Sequence, residues 1–243
     1  MSGHSKWAQI KRQKGVTDIK RGQAFTKIAN GITIAVRQAA GSTDPNQNFR
    51  LRLAIEKARA ANMPKENIEK AIERGKGVGE GAVGLEEVVY EGFAPGGAVA
   101  VIVEAATDNK QRTTAEIKNI FEKAGAVFGQ PGSVAYRFEV TGAILLSKSD
   151  IPVDEIMLLA ADAGAQDLTE RGDEVVIYTK PEDLNKVRSA LLPRGLAIKD
   201  AELIRRPLLT QTVTDKENQE KLTAFISKLE SLDDVQKVYT NNV

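Results

Sequence analysis

Apolar residues recur at helical spacing through residues 24–40, where Phe25, Ile28, Ala29, Ile32, Val36 and Ala39 form one stripe and Gly41 follows as a stop. Asp44-Pro45 supplies a cap followed by proline at the first position of a second helix. Its buried stripe is Leu51, Ala54, Ile55, Ala58 and Ala61, with Arg50, Arg52, Lys57 and Arg59 mostly off it. Asn62-Met63-Pro64 breaks that helix and opens a third, with Ile68, Ala71 and Ile72 inward and Gly75 as the stop. Three short helices with Ala-rich contacts predict a small bundle of modest stability, because there is little apolar surface to bury. Residues 75–84, GKGVGEGAVG, are half glycine and read as a linker.

From Leu85 the period changes from helical to alternating. Val88-Val89-Tyr90 and Ala98–Val103 read as strands joined through the turn residues of Gly92–Gly97. Thr113 or Thr114 is placed to cap a helix with Ile117, Ile120, Phe121 and Ala124 inward and Gly125 at its end. Gly129–Gly132 reads as a turn and Ser133–Glu139 as a further strand.

A second, self-contained rhythm follows. Strand Ala143–Ser147, helix Val153–Ala163, strands Asp167–Glu170 and Glu174–Thr179, helix Leu184–Leu192 and strand Ala197–Ile204 spell βαββαβ, the split-βαβ ferredoxin-like order. The remainder is Leu208–Val213, a helix through Leu222, Phe225, Ile226 and Leu229, and a closing strand Val235–Tyr239. These supply the missing half of the sheet begun at Leu85. The expected fold class is α+β in three domains. Residues 1–78 form a helical domain, 79–140 plus 207–243 an α/β domain, and 141–206 a second ferredoxin-like domain inserted in it.

Charge adds what periodicity leaves out. The net charge is only +1, yet residues 1–78 carry 16 Lys and Arg against 6 Asp and Glu, a net of +10. The rest carries 18 against 27, a net of −9. Such asymmetry is what a chain with one nucleic-acid-facing domain shows. The basic end is densest in Ser2–Lys27, where Lys6, Lys11, Arg12, Lys14, Lys20, Arg21 and Lys27 face one acid, Asp18. The only Trp, Trp7, and the only His, His4, lie there too. A segment this basic repels itself and has little to bury, so an anionic partner or open solvent must receive it. The candidate phosphate contacts are those seven cations, with Trp7 for stacking or docking.

Other chemistries find little support. Cysteine is absent, which removes thiol nucleophiles and thiolate metal sites together, and a lone His cannot assemble a zinc or iron site. The Gly-rich run lacks the GK[ST] ending of a phosphate-binding loop and leads from helix to strand, the wrong order. Glu86-Glu87 and Asp233-Asp234 point to opposite sides of a strand and read as solvated charges. The polar run 107–114, TDNKQRTT, fits either a phosphate held at a helix start or simple capping. No cofactor and no small-molecule substrate is expected. No apolar run approaches the roughly 20 residues of a membrane span. A cytoplasmic protein is expected.

Several stretches resemble one known family. Residues 2–11 (SGHSKWAQIK), Lys20-Arg21-Gly22 ahead of Phe25-Thr26-Lys27, residues 50–75 (RLRLAIEKARAANMPKENIEKAIERG), 90–97 (YEGFAPGG), 107–113 (TDNKQRT), 132–136 (GSVAY) and 233–239 (DDVQKVY) are similar to motifs of the YebC/PmpR family, in order along nearly the whole chain. Residues 13–17 (QKGVT) depart from the more basic, Ala-containing stretch of that pattern. The resemblance implies three domains with the third set within the second. It also implies a non-enzymatic regulator of gene expression, usually described as a DNA-binding transcriptional regulator. Mitochondrial relatives act as translational activators of a cytochrome oxidase subunit, and bacterial relatives are linked to the ribosome. DNA and rRNA both present phosphates to a basic arm, so the expected partners are nucleic acid and, with it, the ribosome or RNA polymerase. A translation factor using the same residues on rRNA is the first alternative, and a protein-interaction module without nucleic acid the second.

Overall fold

The structure is a computed structural model that describes residues 18–77, 84–147 and 151–242. Helix α1 (Asp18–Gln38) starts about two turns before its apolar stripe. Its second half is buried on all sides, with Ile32, Thr33, Ile34, Ala35 and Val36 all shielded from solvent. One side packs on α2 (Phe49–Ala60) and α3 (Lys65–Gly75), where Ile32, Ala35 and Val36 join Leu51, Ile55, Ala58, Met63 and Ile68 in one core. Another side meets the sheet that follows. The thin three-helix core expected from the sequence is therefore supplemented by a sheet surface.

Two details of the bundle differ from expectation. Helix α2 begins four residues later than Asp44-Pro45 suggests. The Asp44 carboxylate is engaged in a local turn, accepting from the Asn46 amide at 2.9 Å. Asn48 is the cap instead, its side-chain oxygen accepting from the Leu51 amide at 3.0 Å while its Nδ2 donates to the carbonyls of Ala35 and Ser42. Gly75, read as a stop, is buried within the last turn of α3. A Cβ there would sit 2.6 Å from the Val36 Cβ and 2.9 Å from the Thr33 carbonyl oxygen, so glycine lets α3 approach α1 closely. Most of the Gly-rich linker, residues 78–83, lies outside the described residues.

The first sheet has the order β3-β1-β2-β8. Strands β1 (Glu86–Phe93) and β2 (Ala100–Thr107) form an antiparallel hairpin with Tyr90 opposite Val103. β8 (Val235–Thr240) pairs antiparallel with β2, and the short β3 (Val127–Phe128), not expected from the sequence, pairs with the end of β1. Helices α4 (Lys110–Lys123) and α7 (Lys216–Glu230) cover one face around Ile117, Phe121, Leu222, Phe225 and Leu229, with the Phe121 and Phe225 rings edge-to-face at 4.9 Å. Helix α1 contacts β2 and β8. The strand order in space is the ferredoxin-like one. The connectivity is rearranged, since the strand that would close the central hairpin comes first in the chain.

The expected strand Ser133–Glu139 is instead a 3-10 turn at Ala135–Arg137, followed by β4 (Phe138–Ser147). The cause is Glu91, whose side chain is buried and accepts from the backbone N–H groups of Gly132, Val134 and Ala135 at 2.7 to 2.8 Å. Those amides cannot also serve a ladder. Residues 208–213, left open by the sequence, form no strand beyond an isolated bridge between Gln211 and Asn242.

Backbone proximity divides the chain into two units, and Glu139–Arg206 is one of them. Within it, α5 (Val153–Ala163), β5 (Asp167–Arg171), β6 (Glu174–Thr179), α6 (Leu184–Leu191) and β7 (Ile198–Pro207) follow β4. The sheet order β5-β6-β4-β7 and the antiparallel pairing of β6 with β4 and β5 are those of a ferredoxin-like domain. Ile144, Leu146, Ile156, Val175, Leu184 and Val187 are fully buried in its core. The described residues up to Phe138 and from Pro207 onward make up the other unit, helices α1–α3 included.

Candidate nucleic-acid interface

Lys6, Trp7, Lys11, Arg12 and Lys14, five of the eight candidate contacts, lie outside the described residues. Lys20 and Arg21 fall in the first turn of α1, one helical turn ahead of Phe25. Lys27 is the one whose side chain has a described place. It is half-buried, and its ammonium donates to the Glu230 carbonyl oxygen at the C-terminus of α7. Gln23, one turn earlier, reaches the Ser231 carbonyl at 3.4 Å. Burial pushes the Lys27 ammonium below its ordinary value, against the opposing pull of Glu230 and Asp233. A cation over the last carbonyls of a helix also meets the negative end of its dipole. Lys27 thus fixes the helix that carries Lys20 and Arg21 onto the α/β body.

At its other end α1 is tied by Arg37, which donates to the Leu85 carbonyl at 2.7 Å, and by Gln38, which bridges Arg50 and Glu87. Arg50, Lys57 and Arg59 on α2 and Lys65 and Lys70 on α3 are exposed. Charge on α3 is sorted by face. Glu66, Glu69 and Glu73 share one stripe, and Asn67, Lys70 and Arg74 share another at the same helical spacing. The second stripe borders a groove of about 290 Å³ between α1 and α3, floored by Phe25, Ala29, Met63 and Ala71. Arg74 is held over it by neutral acceptors, Asn30 Oδ1 at 3.3 Å and Thr33 Oγ1 at 3.4 Å. Among the described residues no carboxylate lines this groove.

The run 107–114 is organised from within. Asn109 caps α4, accepting from the Arg112 amide at 3.0 Å. Thr113, expected as a cap, is buried in the helix and donates to Asp234 at 2.6 Å. Asp234, expected to be solvated, also accepts from Arg112 at 2.9 Å and Thr107 at 3.1 Å. Burial pushes the Asp234 carboxyl up, but the bonds from Arg112 and Thr113, the Arg112 charge and Thr107 together hold it below the usual carboxylate range. Arg112 pairs with Asp108 as well, so two carboxylates already occupy the position a phosphate would take. Capping is the reading the geometry favours. The Glu91 and Asp234 sites escaped the sequence reading, because their partners lie 41 to 44 and 121 to 127 residues away.

Among the described residues no group of three or more His, Asp or Glu could hold a metal ion. No helix among them is long and apolar enough to cross a membrane.

Comparison with known proteins agrees with this architecture. The family described as "TACO1/YebC protein N-terminal domain" matches residues 5–78, and "TACO1/YebC second and third domain" matches residues 85–242. A protein of Chloroflexus aurantiacus named "Probable transcriptional regulatory protein" is 51% identical, over 99% of this chain and 95% of its own length. One of the same name from Persephonella marina is 49% identical with the same coverage. The crystal structure of a conserved hypothetical protein from Aquifex aeolicus superposes with a TM-score of 0.88 at 43% identity, over 98% of this chain and 97% of that one. With both family descriptions matched in order along the chain, and relatives near half identity over almost its full length, the protein belongs to the TACO1/YebC family.

Proposed function

We propose that this protein is a non-enzymatic regulator of gene expression that binds nucleic acid, most simply DNA in transcriptional control, within the cytoplasm. The observation that carries this reading is the charge division, +10 over residues 1–78 against −9 over the rest. It is supported by the name that relatives bear, probable transcriptional regulatory protein. In this reading Lys6, Lys11, Arg12, Lys14, Lys20 and Arg21 contact phosphates, Trp7 stacks or docks, and Lys27 adds its charge while anchoring α1. The acidic remainder confines the contact to one domain and discourages non-specific coating.

Crosslinking the protein in cells and sequencing the attached nucleic acid tests this directly. Enrichment of discrete DNA sites is the expected result. Recovery of ribosomal RNA would replace DNA with the ribosome as the target. Recovery of neither would remove nucleic acid from the account.

A further inference from the structure

The groove between α1 and α3 has a composition that suits one ligand chemistry. Its floor is apolar and partly aromatic, from Phe25 and Met63. Its border is cationic, from Lys70 and Arg74, with Thr26 and Asn67 as the neutral polar groups. Lys70 and Arg74 stand one helical turn apart on the same stripe of α3, and neither has a carboxylate partner among the described residues. Glu66 and Glu73 neighbour Lys70 along α3 but do not line the groove, so the charge that borders the groove itself is positive. Such a charge beside an apolar floor fits an anion that carries a flat apolar body. The volume, about 290 Å³, is at the small end of ligand-sized clefts.

We propose that this groove binds a single unpaired nucleotide of a nucleic-acid strand. Its base lies against Phe25 and Met63, its phosphate between Lys70 and Arg74, and Asn67 is within reach of the base edge. Duplex phosphates could meet Lys70, but a paired and stacked base cannot present its face to the floor, whereas unpaired bases stack readily on aromatic side chains. This inference rests on the nucleic-acid reading above and sharpens it: the basic domain selects single-stranded or looped-out segments over intact duplex.

The test uses the full chain and a short mixed-sequence DNA, offered as a single strand and as a blunt duplex at one salt concentration. Lys70→Glu, an exposed change, is compared with wild type, and thermal melting confirms the fold. Charge reversal at Lys70 weakens phosphate contacts of either form, so the expected result is that both affinities fall and that single-strand affinity falls by roughly a further tenfold, because only the single strand also loses a seated nucleotide. In parallel, wild-type protein crosslinked to single-stranded DNA carrying 4-thiothymidine should yield adducts on peptides containing Phe25 or Met63. Equal weakening of both forms, or adducts confined to other peptides, would overturn the groove while leaving nucleic-acid binding intact. Failure of wild type to bind either form would overturn both.

Discussion

The Lys27 ammonium rests on the carbonyl oxygen of Glu230, joining the basic helix α1 to the last turn of α7 across 203 residues of chain. A residue that the sequence marks only as one more cation in a basic stretch is thereby part of the scaffold. Lys27→Ala removes a charged donor from a part-buried carbonyl and should lower stability by about 1 kcal/mol, since the desolvation of the ammonium offsets part of the bond. Lys70→Ala on the exposed stripe of α3 should stay within about 0.5 kcal/mol of wild type. Urea unfolding of the two variants checks the contrast. An unchanged midpoint for Lys27→Ala would remove the anchoring role.

Asp234 gives the fold an acid dependence. Its carboxyl is held below the usual range by Arg112, Thr113 and Thr107 in spite of burial. A carboxylate favoured in the folded state contributes stability above its unfolded-state value, near 3.9, and that contribution drains away as pH falls through the lower folded value. Asp234→Asn should therefore be less stable than wild type at neutral pH. The gap should begin to close below about pH 4. Unfolding midpoints measured from neutral pH into this range decide the matter, and a gap constant down to acid would assign the loss to geometry rather than ionisation.

The same residues show what a one-dimensional reading reaches. Helical spacing placed α3, α5 and α6, and alternation placed β6 and β8, because each signal is contained within one element. The βαββαβ rhythm likewise announced the inserted ferredoxin-like unit. Capping was legible in kind but not in position. Asp44 and Thr113 are chemically good caps, yet Asp44 is engaged in its own turn and Thr113 is drawn inward by Asp234, leaving Asn48 and Asn109 to do the capping. Glu91 and Asp234 were illegible because no local pattern separates a carboxylate that will meet distant donors from one facing water. The candidate interface divides similarly. The cationic arm is plain in the composition, whereas the groove needs α1 and α3 brought together.

That approach depends on Gly75. Its missing side chain faces Val36 and the Thr33 backbone, and the Thr33 hydroxyl bridges the same contact, lying 3.0 Å from the carbonyls of both Ala29 and Ala71. Gly75→Ala places a methyl where only backbone could yield. It should destabilise the protein by about 1 to 3 kcal/mol in spite of the better helix propensity of alanine. Gly22→Ala, on an exposed stretch of α1 where no atom of the described residues lies within 4 Å of the Cβ position, should be neutral or stabilising. Thermal melting of the pair separates close packing from propensity, and two equal shifts would contradict the packing account.

The arm itself is tested by its dependence on salt. Lys11, Arg12, Lys20 and Arg21 are four of the cations behind the net +10 of residues 1–78, and in sequence they lie apart from the Lys27 anchor and the Gly75 packing. Converting all four to glutamine removes four charges while keeping a polar side chain at each position. If these side chains displace counterions from phosphates, the slope of log affinity against log salt should flatten by about 0.9 for each duplex phosphate no longer neutralised, and by about 0.7 for each one on a single strand. Affinity should fall on every sequence alike, since phosphate-binding cations carry no base information. Titrations at several salt concentrations read the slope. A weaker complex with the wild-type slope would mean that the four residues act through the fold and not on phosphate.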